Sequence, residues 1–328
     1  MDQAKRLREL ARERQSAAMR LSPTRLSPSA LVEPRDGLVA PAPPARVIAV
    51  TSGKGGVGKT NLVANLAYAL TRQNRRVLVC DADLGLANLD VLLGLTPRFT
   101  LQHVLRGEKR LRDVLICGPG GMRVLPASSG IQELTELSDA QRLMLLDAFD
   151  QLGERFDFLL LDTGAGISEN VLYFAVAAQE IIIVVTPEPT SITDAYAMMK
   201  VLSMRYAERS FKLVVNWVKS SEDAEAVYHR LLRVIGRYLN VRLEYLGYVR
   251  RDEKVVQAVK EQCAVLERYP TSSASLCFVS LGERLLEMTP SFEPKGSLQF
   301  FWRQLLENAS SPGTEPPSGR GVNRDARA

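Results

Sequence analysis

The chain has 328 residues, 46% of them hydrophobic and 24% charged, a balance that lets a globular protein bury one large α/β domain and still carry tails. Its 42 basic and 37 acidic residues leave a net charge of +5, too even a ratio for charge to require nucleic acid or an anionic membrane as partner. Four separated cysteines, Cys80, Cys117, Cys263 and Cys277, contain no CxxC pair, which argues against a zinc site or a disulfide framework and for reduced cytosolic thiols.

Residues 1–20 have helical character, with Leu7, Leu10, Ala11 and Arg14 on one face and Lys5, Arg6, Arg8 and Arg12 over the rest. Residues 21–45, with Pro23, Pro28, Pro34, Pro41, Pro43 and Pro44, read as an extended linker that tethers this helix. The start of the chain has no apolar signal-peptide stretch, and no run approaches the ~20 residues that span a bilayer. A cytoplasmic protein is expected.

From Arg46 the pattern changes to short apolar runs, Val47–Val50, Val77–Cys80, Arg123–Leu125, Phe158–Leu161, Ile181–Val185 and Leu213–Val215, which suit buried parallel strands. Amphipathic segments between them, at Asn61–Arg72, Asp139–Leu152, Ser168–Ala178 and Thr193–Arg205, supply crossover helices. The fold class expected is therefore α/β, a doubly wound, mostly parallel sheet forming one domain over residues 46–288. Pro290, Pro294 and Gly296 then break the chain before an isolated amphipathic segment at 297–309, and a Pro, Gly and Arg rich tail at 310–328 reads as disordered.

Gly53-Lys54-Gly55-Gly56-Val57-Gly58-Lys59-Thr60 matches the P-loop pattern, with an apolar strand before it and a helical segment from Asn61 after it. Glycines let successive backbone N–H groups turn toward phosphate oxygens, and the following helix adds the positive end of its dipole. In that pattern Lys59 reaches the terminal phosphates and the Thr60 hydroxyl holds Mg²⁺, so ATP and Mg²⁺ are the expected ligands. Lys54 is not part of the ordinary pattern.

With that second lysine the loop resembles the deviant Walker A ATPases of the ParA/MinD family. The resemblance implies that Lys54 crosses a two-fold interface to the other subunit's nucleotide, making an ATP-dependent homodimer. Asp81-Ala82-Asp83-Leu84-Gly85 is similar to the family's switch I, which implies that Asp83 orients the attacking water and Asp81 helps hold the Mg²⁺ surroundings. Leu159-Leu160-Leu161-Asp162-Thr163-Gly164-Ala165-Gly166 resembles Walker B and switch II, which implies that Asp162 holds Mg²⁺ through a water. Asn216 resembles the residue that reads the adenine edge, and a plain turn residue is the alternative. Asp252, in Arg250-Arg251-Asp252, stands where the family often has Pro-x-Asp. Asp194 aligns with a position near the dimer face or caps a helix.

The tails resemble a particular branch. Asp2-Gln3-Ala4-Lys5-Arg6-Leu7-Arg8 is similar to the N-terminal motif of the FlhG (FleN/YlxH) regulators of flagellar number. There the tethered helix binds the GTPase FlhF and stimulates its turnover, with Asp2, Gln3, Ala4, Leu7 and Arg8 as the matching contacts; an ordinary basic tail is the alternative. Gly164 points the same way, since MinD itself commonly has proline there. Leu298, Phe301, Trp302, Leu305 and Ala309 form one apolar stripe that resembles the membrane-targeting helix of MinD and FlhG. That stripe could instead pack on the protein's own domain. The resemblance implies a cytoplasmic protein that becomes peripheral on the membrane with ATP, with a flagellar C-ring protein or a flagellar transcription regulator as cargo.

Other occupants of the same fold make different demands. A ParA-type partition ATPase coating DNA needs a cluster of Lys and Arg, whereas the basic residues here are scattered or in the tails, so no specific nucleic acid is expected. A MinD-type regulator of the division site shares the nucleotide machinery. An iron–sulfur reductase needs thiolates that bridge two subunits, and neither Cys80 nor Cys117 has an evident partner. An ATP-binding scaffold without turnover would not need Lys59, Asp83 and Asp162 together.

Overall fold

The computed structural model describes residues 45–83, 88–126 and 156–288, together with Met144, Asp147 and Ala148. Strand β1 (Arg46–Ser52) feeds the glycine loop and helix α1 (Lys59–Arg72), and β2 (Val77–Ala82) follows. Three short turns of helix, α2 (Leu89–Leu92), α3 (Leu101–Leu105) and α4 (Leu111–Val114), lead to β3 (Ile116–Cys117) and β4 (Arg123–Leu125). The chain continues through β5 (Phe158–Ala165), α5 (Glu169–Ala177), β6 (Glu180–Val185), α6 (Pro189–Tyr206), β7 (Ser210–Val218), α7 (Ser221–Tyr238) and β8 (Arg242–Arg250). Helices α8 (Glu253–Lys260), α9 (Val265–Arg268) and α10 (Ser273–Glu287) complete it.

The strands form one eight-stranded sheet in the order β3-β4-β2-β5-β1-β6-β7-β8. Every neighbouring pair is parallel except β3 with β4. Helices cover both faces, which is why β1, β2, β5 and β6 are apolar without alternation. Ile48 and Val50 point into a core shared with α1 and α10, whereas Val47 and Ala49 point into the core on the opposite face, where Phe174 of α5 packs. The chain leaves β1 toward β2 on one side and returns to β6 on the other, so the order of strands reverses at β1. In open α/β sheets such a reversal opens a crevice at the carboxyl ends of the strands.

Six strands were expected from the apolar runs, and the structure adds two. β3 is a two-residue edge strand, too short to leave a pattern. β8, Arg-Leu-Glu-Tyr-Leu-Gly-Tyr-Val-Arg, carries charges at both ends and glycine inside, because it is an edge strand partly open to solvent. Helix α1 begins two residues ahead of the expected Asn61, since Lys59 and Thr60 already form its first turn. Helix α6 begins at Pro189 rather than Thr193, with proline at the first helical position where its missing N–H costs nothing. Of the helix expected over 139–152, only Met144, Asp147 and Ala148 lie among the described residues, and these are helical.

One buried ionic cluster stands at the amino-terminal ends of the central strands, opposite the end that carries the glycine loop. Glu180 receives Arg46 Nε at 2.8 Å and Lys212 Nζ at 3.0 Å, and Arg46 Nη1 also donates to the Leu285 carbonyl at 2.7 Å. Burial opposes ionisation of Glu180, but the two cations hold its carboxyl below the usual glutamate range. The cluster ties the start of β1 to the end of α10. Among the described residues no helix is long and apolar enough to cross a membrane.

Candidate active site

The glycine loop runs from the end of β1 to the start of α1, and three of its glycines are required by their neighbours or by their backbone conformation. A Cβ on Gly53 would collide with the backbone of Asp194 in α6. Gly56 and Gly58 have φ of +77° and +90°, a region costly for any residue with a side chain. A Cβ on Gly58 would also strike the Asn216 amide, and this residue forms the left-handed cap from which α1 starts. Gly55 and Val57 complete the curve, with Val57 buried and Gly55 exposed.

The two lysines have opposite surroundings. Lys59 is buried, and its Nζ donates to Ser52 Oγ at 3.0 Å. Burial pushes its ammonium pKa down, while the carboxylates of Asp162 and Asp83 push it back up. Lys54 stays at the surface, with Nζ 2.7 Å from Glu188 Oε2 and 3.2 Å from Thr190 Oγ1. Ser52 organises both: its hydroxyl donates to the Lys54 carbonyl at 2.7 Å, and its own carbonyl accepts Gly166 N–H at 2.9 Å.

Two carboxylates face each other across neighbouring strands, because Asp81 of β2 is in register with Asp162 of β5. Asp81 is buried and accepts backbone N–H groups from Asp83 at 3.1 Å, Asn88 at 3.3 Å and Leu89 at 3.2 Å. Burial raises its pKa to about 6 despite those donors. Its carboxylate thus pins the return of the loop after β2. Asp162 is also buried, and desolvation with Asp81 beside it pushes its pKa to about 7, opposed by a hydrogen bond from Thr60 and by Lys59. Its Oδ1 is a buried acceptor with no hydrogen-bond partner.

That orphaned oxygen fits a site built for a cation beside phosphates. Thr60 and Asp162 are the side chains that would hold Mg²⁺, which when bound would neutralise charge on the phosphate oxygens. Among the described residues no group of three His, Cys, Asp or Glu is arranged to hold a metal alone. Asp83 lines the cavity beside Lys59, and a Cβ on Gly164 would come within 3.4 Å of its Oδ1 and 3.2 Å of Val171. Gly164 thus leaves room for the end of β5 to lie against Asp83. Asn61 lines the cavity from the first turn of α1.

The cavity extends from the loop to an apolar end walled by Val249, Val255, Val256 and Phe278 and has a volume of about 720 Å³. Asn216 sits between these two ends, donating from Nδ2 to the Val57 carbonyl at 2.8 Å and accepting Trp217 N–H at 2.9 Å. Asp252 lines the same end, but Oδ1 accepts Lys254 N–H at 2.9 Å and Oδ2 accepts Ser273 Oγ–H at 2.9 Å and Ala274 N–H at 3.0 Å. Burial works against its ionisation, and these donors more than offset it, holding its pKa below the usual range. The carboxylate is thereby engaged in starting α8 and α10. Asp194 lies in the second turn of α6 and caps nothing, and its backbone is the wall behind Gly53.

The chain matches the model described as an AAA domain over residues 45–213. It is 46% identical to the antiactivator FleN of Pseudomonas aeruginosa over 268 residues, covering 82% of this chain and 96% of FleN. It is 35% identical to the flagellum site-determining protein YlxH of Helicobacter pylori, covering 80% of this chain and 90% of YlxH. The chain belongs to the ParA/MinD ATPase family, in the FleN/YlxH branch. It is also similar to the septum site-determining protein MinD of Pyrococcus horikoshii OT3, solved with Mg-ADP, at 27% identity and a TM-score of 0.58 over 74% of this chain and 96% of that one.

Membership makes this ParA/MinD protein an ATPase, and the cavity has the parts that hydrolysis needs. Phosphoryl transfer asks the protein mainly for positioning and for charge at the phosphates. Lys59 supplies a buried positive charge, the loop supplies N–H groups, and Asp83 supplies a carboxylate that lines the cavity. Ser52, Glu188 and Trp217 were not singled out from the sequence. Ser52 and Glu188 leave no local signal, whereas Trp217 does: an aromatic directly after Asn216 at a strand end. Cys80 is buried in β2 and Cys117 is exposed on β3, with β4 between those strands. The partner-binding residues Asp2, Gln3, Ala4, Leu7 and Arg8 and the membrane residues Leu298, Phe301, Trp302 and Leu305 lie outside the described residues.

Proposed function

We propose that this ATPase is a dimerisation switch that regulates flagellar number and placement. In this reading ATP holds two copies face to face, Lys54 of each copy reaches the phosphates bound by the other, and Asp83 orients the attacking water. Hydrolysis then returns the protein to a cytoplasmic monomer. The observation that supports it is the contrast between the lysines: Lys59 is buried against Ser52, whereas Lys54 is left at the surface on two exposed partners. A lysine needed only by its own subunit's nucleotide would gain nothing from standing outside.

The flagellar assignment rests on the similarity to FleN and YlxH. In the same reading residues 1–20 form the helix that stimulates the GTPase FlhF, and residues 21–45 are its tether. Residues 46–288 are the ATPase domain, residues 297–309 attach the ATP-bound dimer peripherally to the membrane, and 310–328 are a tail. A single short amphipathic segment binds lipid weakly, so doubling it in the dimer couples membrane residence to ATP. The cargo is a C-ring protein or a flagellar transcription regulator.

Size-exclusion chromatography with ATP and with ADP, alongside steady-state ATPase rates, tests the switch. Asp83→Ala is expected to accumulate an ATP-bound dimer with little turnover, and Lys54→Ala to remain monomeric with ATP. If both variants hydrolyse ATP at the parent rate as monomers, the switch is wrong. A peptide of residues 1–20 should accelerate GTP turnover by FlhF and lose that effect with Gln3→Ala; an inert parent peptide removes the N-terminal assignment.

A further inference from the structure

The end of β7 is built irregularly. Asn216 pairs with Val249 and Val218 with Arg250, so Trp217 is an extra residue in the ladder, a bulge. Asn216 and Val218 are buried, whereas Trp217 is 52% exposed. Its φ is +63°, in the left-handed region that bulky side chains rarely adopt. Such a conformation persists only where the surroundings impose it, and three contacts do so here. Trp217 N–H donates to Asn216 Oδ1, Asn216 Nδ2 donates to the Val57 carbonyl inside the glycine loop, and Arg251 N–H clamps the Val218 carbonyl at 2.8 Å.

A strained backbone with an indole left half in solvent is poor design for a strand end unless the indole has another partner. The side chain lines the apolar end of the cavity that begins at the glycine loop, together with Val249, Val256 and Phe278. Of the polar residues there, Asp252 is committed to starting two helices and Asn216 to bridging Val57 and Trp217, while Arg250, Arg251 and Glu253 also line the cavity. The half-exposed indole adds a planar aromatic surface beside apolar side chains, which is the complement of the face of a nucleobase.

We propose that Trp217 is the base-binding residue of this ATPase, its indole stacking on the purine ring of the nucleotide whose phosphates occupy the glycine loop. The assignment rests on the reading of that loop as the phosphate site, and the following experiment separates the two. The chain has two tryptophans, Trp217 and Trp302, so the full-length Trp302→Phe protein reports Trp217 alone. Adding ADP should quench its fluorescence, whereas inorganic triphosphate, which has no base, should bind without quenching.

Trp217→Asn removes the ring and places at that position a residue that tolerates the left-handed backbone, so nucleotide-free melting should not fall. By calorimetry ADP affinity should drop about tenfold or more, the order expected for loss of one base–aromatic stack, with inorganic triphosphate affinity unchanged. Trp217→Phe should recover most of the loss. If ADP binds parent and Trp217→Asn equally, or fails to quench Trp217 while binding, the stacking role is overturned. If triphosphate itself fails to bind the parent, the phosphate-site reading fails instead.

Discussion

Lys54 Nζ stands 2.7 Å from Glu188 Oε2, joining the glycine loop to the segment between β6 and α6 across 134 positions of sequence. Both side chains are substantially exposed, at 39% and 56%, so solvent screens the pair and it contributes less than about 1 kcal/mol. A contact that weak holds the lysine without trapping it. In the proposed dimer Lys54 must leave Glu188 before it can reach across, and Glu188→Gln should therefore favour association. The expected result is an ATP-dependent dimer whose midpoint moves about two- to fivefold lower in protein concentration, by analytical ultracentrifugation. Loss of dimerisation would instead mean that Glu188 acts across the interface rather than within one copy.

Asp162 should make the metal-free protein depend on pH. Its pKa is raised from 3.8 in the unfolded chain to about 7 in the fold, mainly by burial. Between those values the folded state keeps a proton that the unfolded state has lost, so stability falls as pH rises through that window and levels off above about 7. Asp81, raised to about 6, adds a slope of the same sign. Asp162→Asn removes the cost of burying the charge, and chemical denaturation without nucleotide or metal at pH 8 should show a gain on the order of a few kcal/mol. The same variant should be unable to hydrolyse ATP. A variant no more stable than the parent at pH 8 would show that the aspartate pays no desolvation penalty.

Gly53→Ala should damage the fold and the site together. The added Cβ meets the Asp194 backbone, which a helix of 18 residues cannot easily withdraw. Overpacking against main chain costs at least about 2 kcal/mol, and the loop would have to move to relieve it. Thermal unfolding should fall by several degrees, and ADP binding should weaken in the same protein. Parent-like melting would mean that loop and helix can separate freely.

The parts of this protein legible in one dimension are those that local chemistry writes in consecutive residues. The glycine loop is one: Gly53, Gly58, Lys59 and Thr60 have their spacing because a backbone can curl around phosphate in few ways. The buried strands are another, since coverage on both faces makes them apolar throughout. The carboxylates at Asp81 and Asp162 follow such runs and so announce themselves. β8 was not legible because it is an edge strand with charged ends, and β3 because two residues carry no period.

The remaining features depend on which distant segments meet. The register of β2 on β5 buries Asp81 beside Asp162, burial raises both pKa values and Asp81 raises that of Asp162 further, and no property of either short motif contains that pairing. The packing of α8 and α10 around Asp252 commits a carboxylate that its motif assigned to the nucleotide. A bulge between β7 and β8 turns Trp217 out toward the cavity. Loop geometry is local and survives in the order of residues, but strand register, helix docking and the direction of a side chain are decided by long-range packing. The phosphate end of the site was therefore readable from its sequence, and the base end took its form only when β7, β8 and α8 came together.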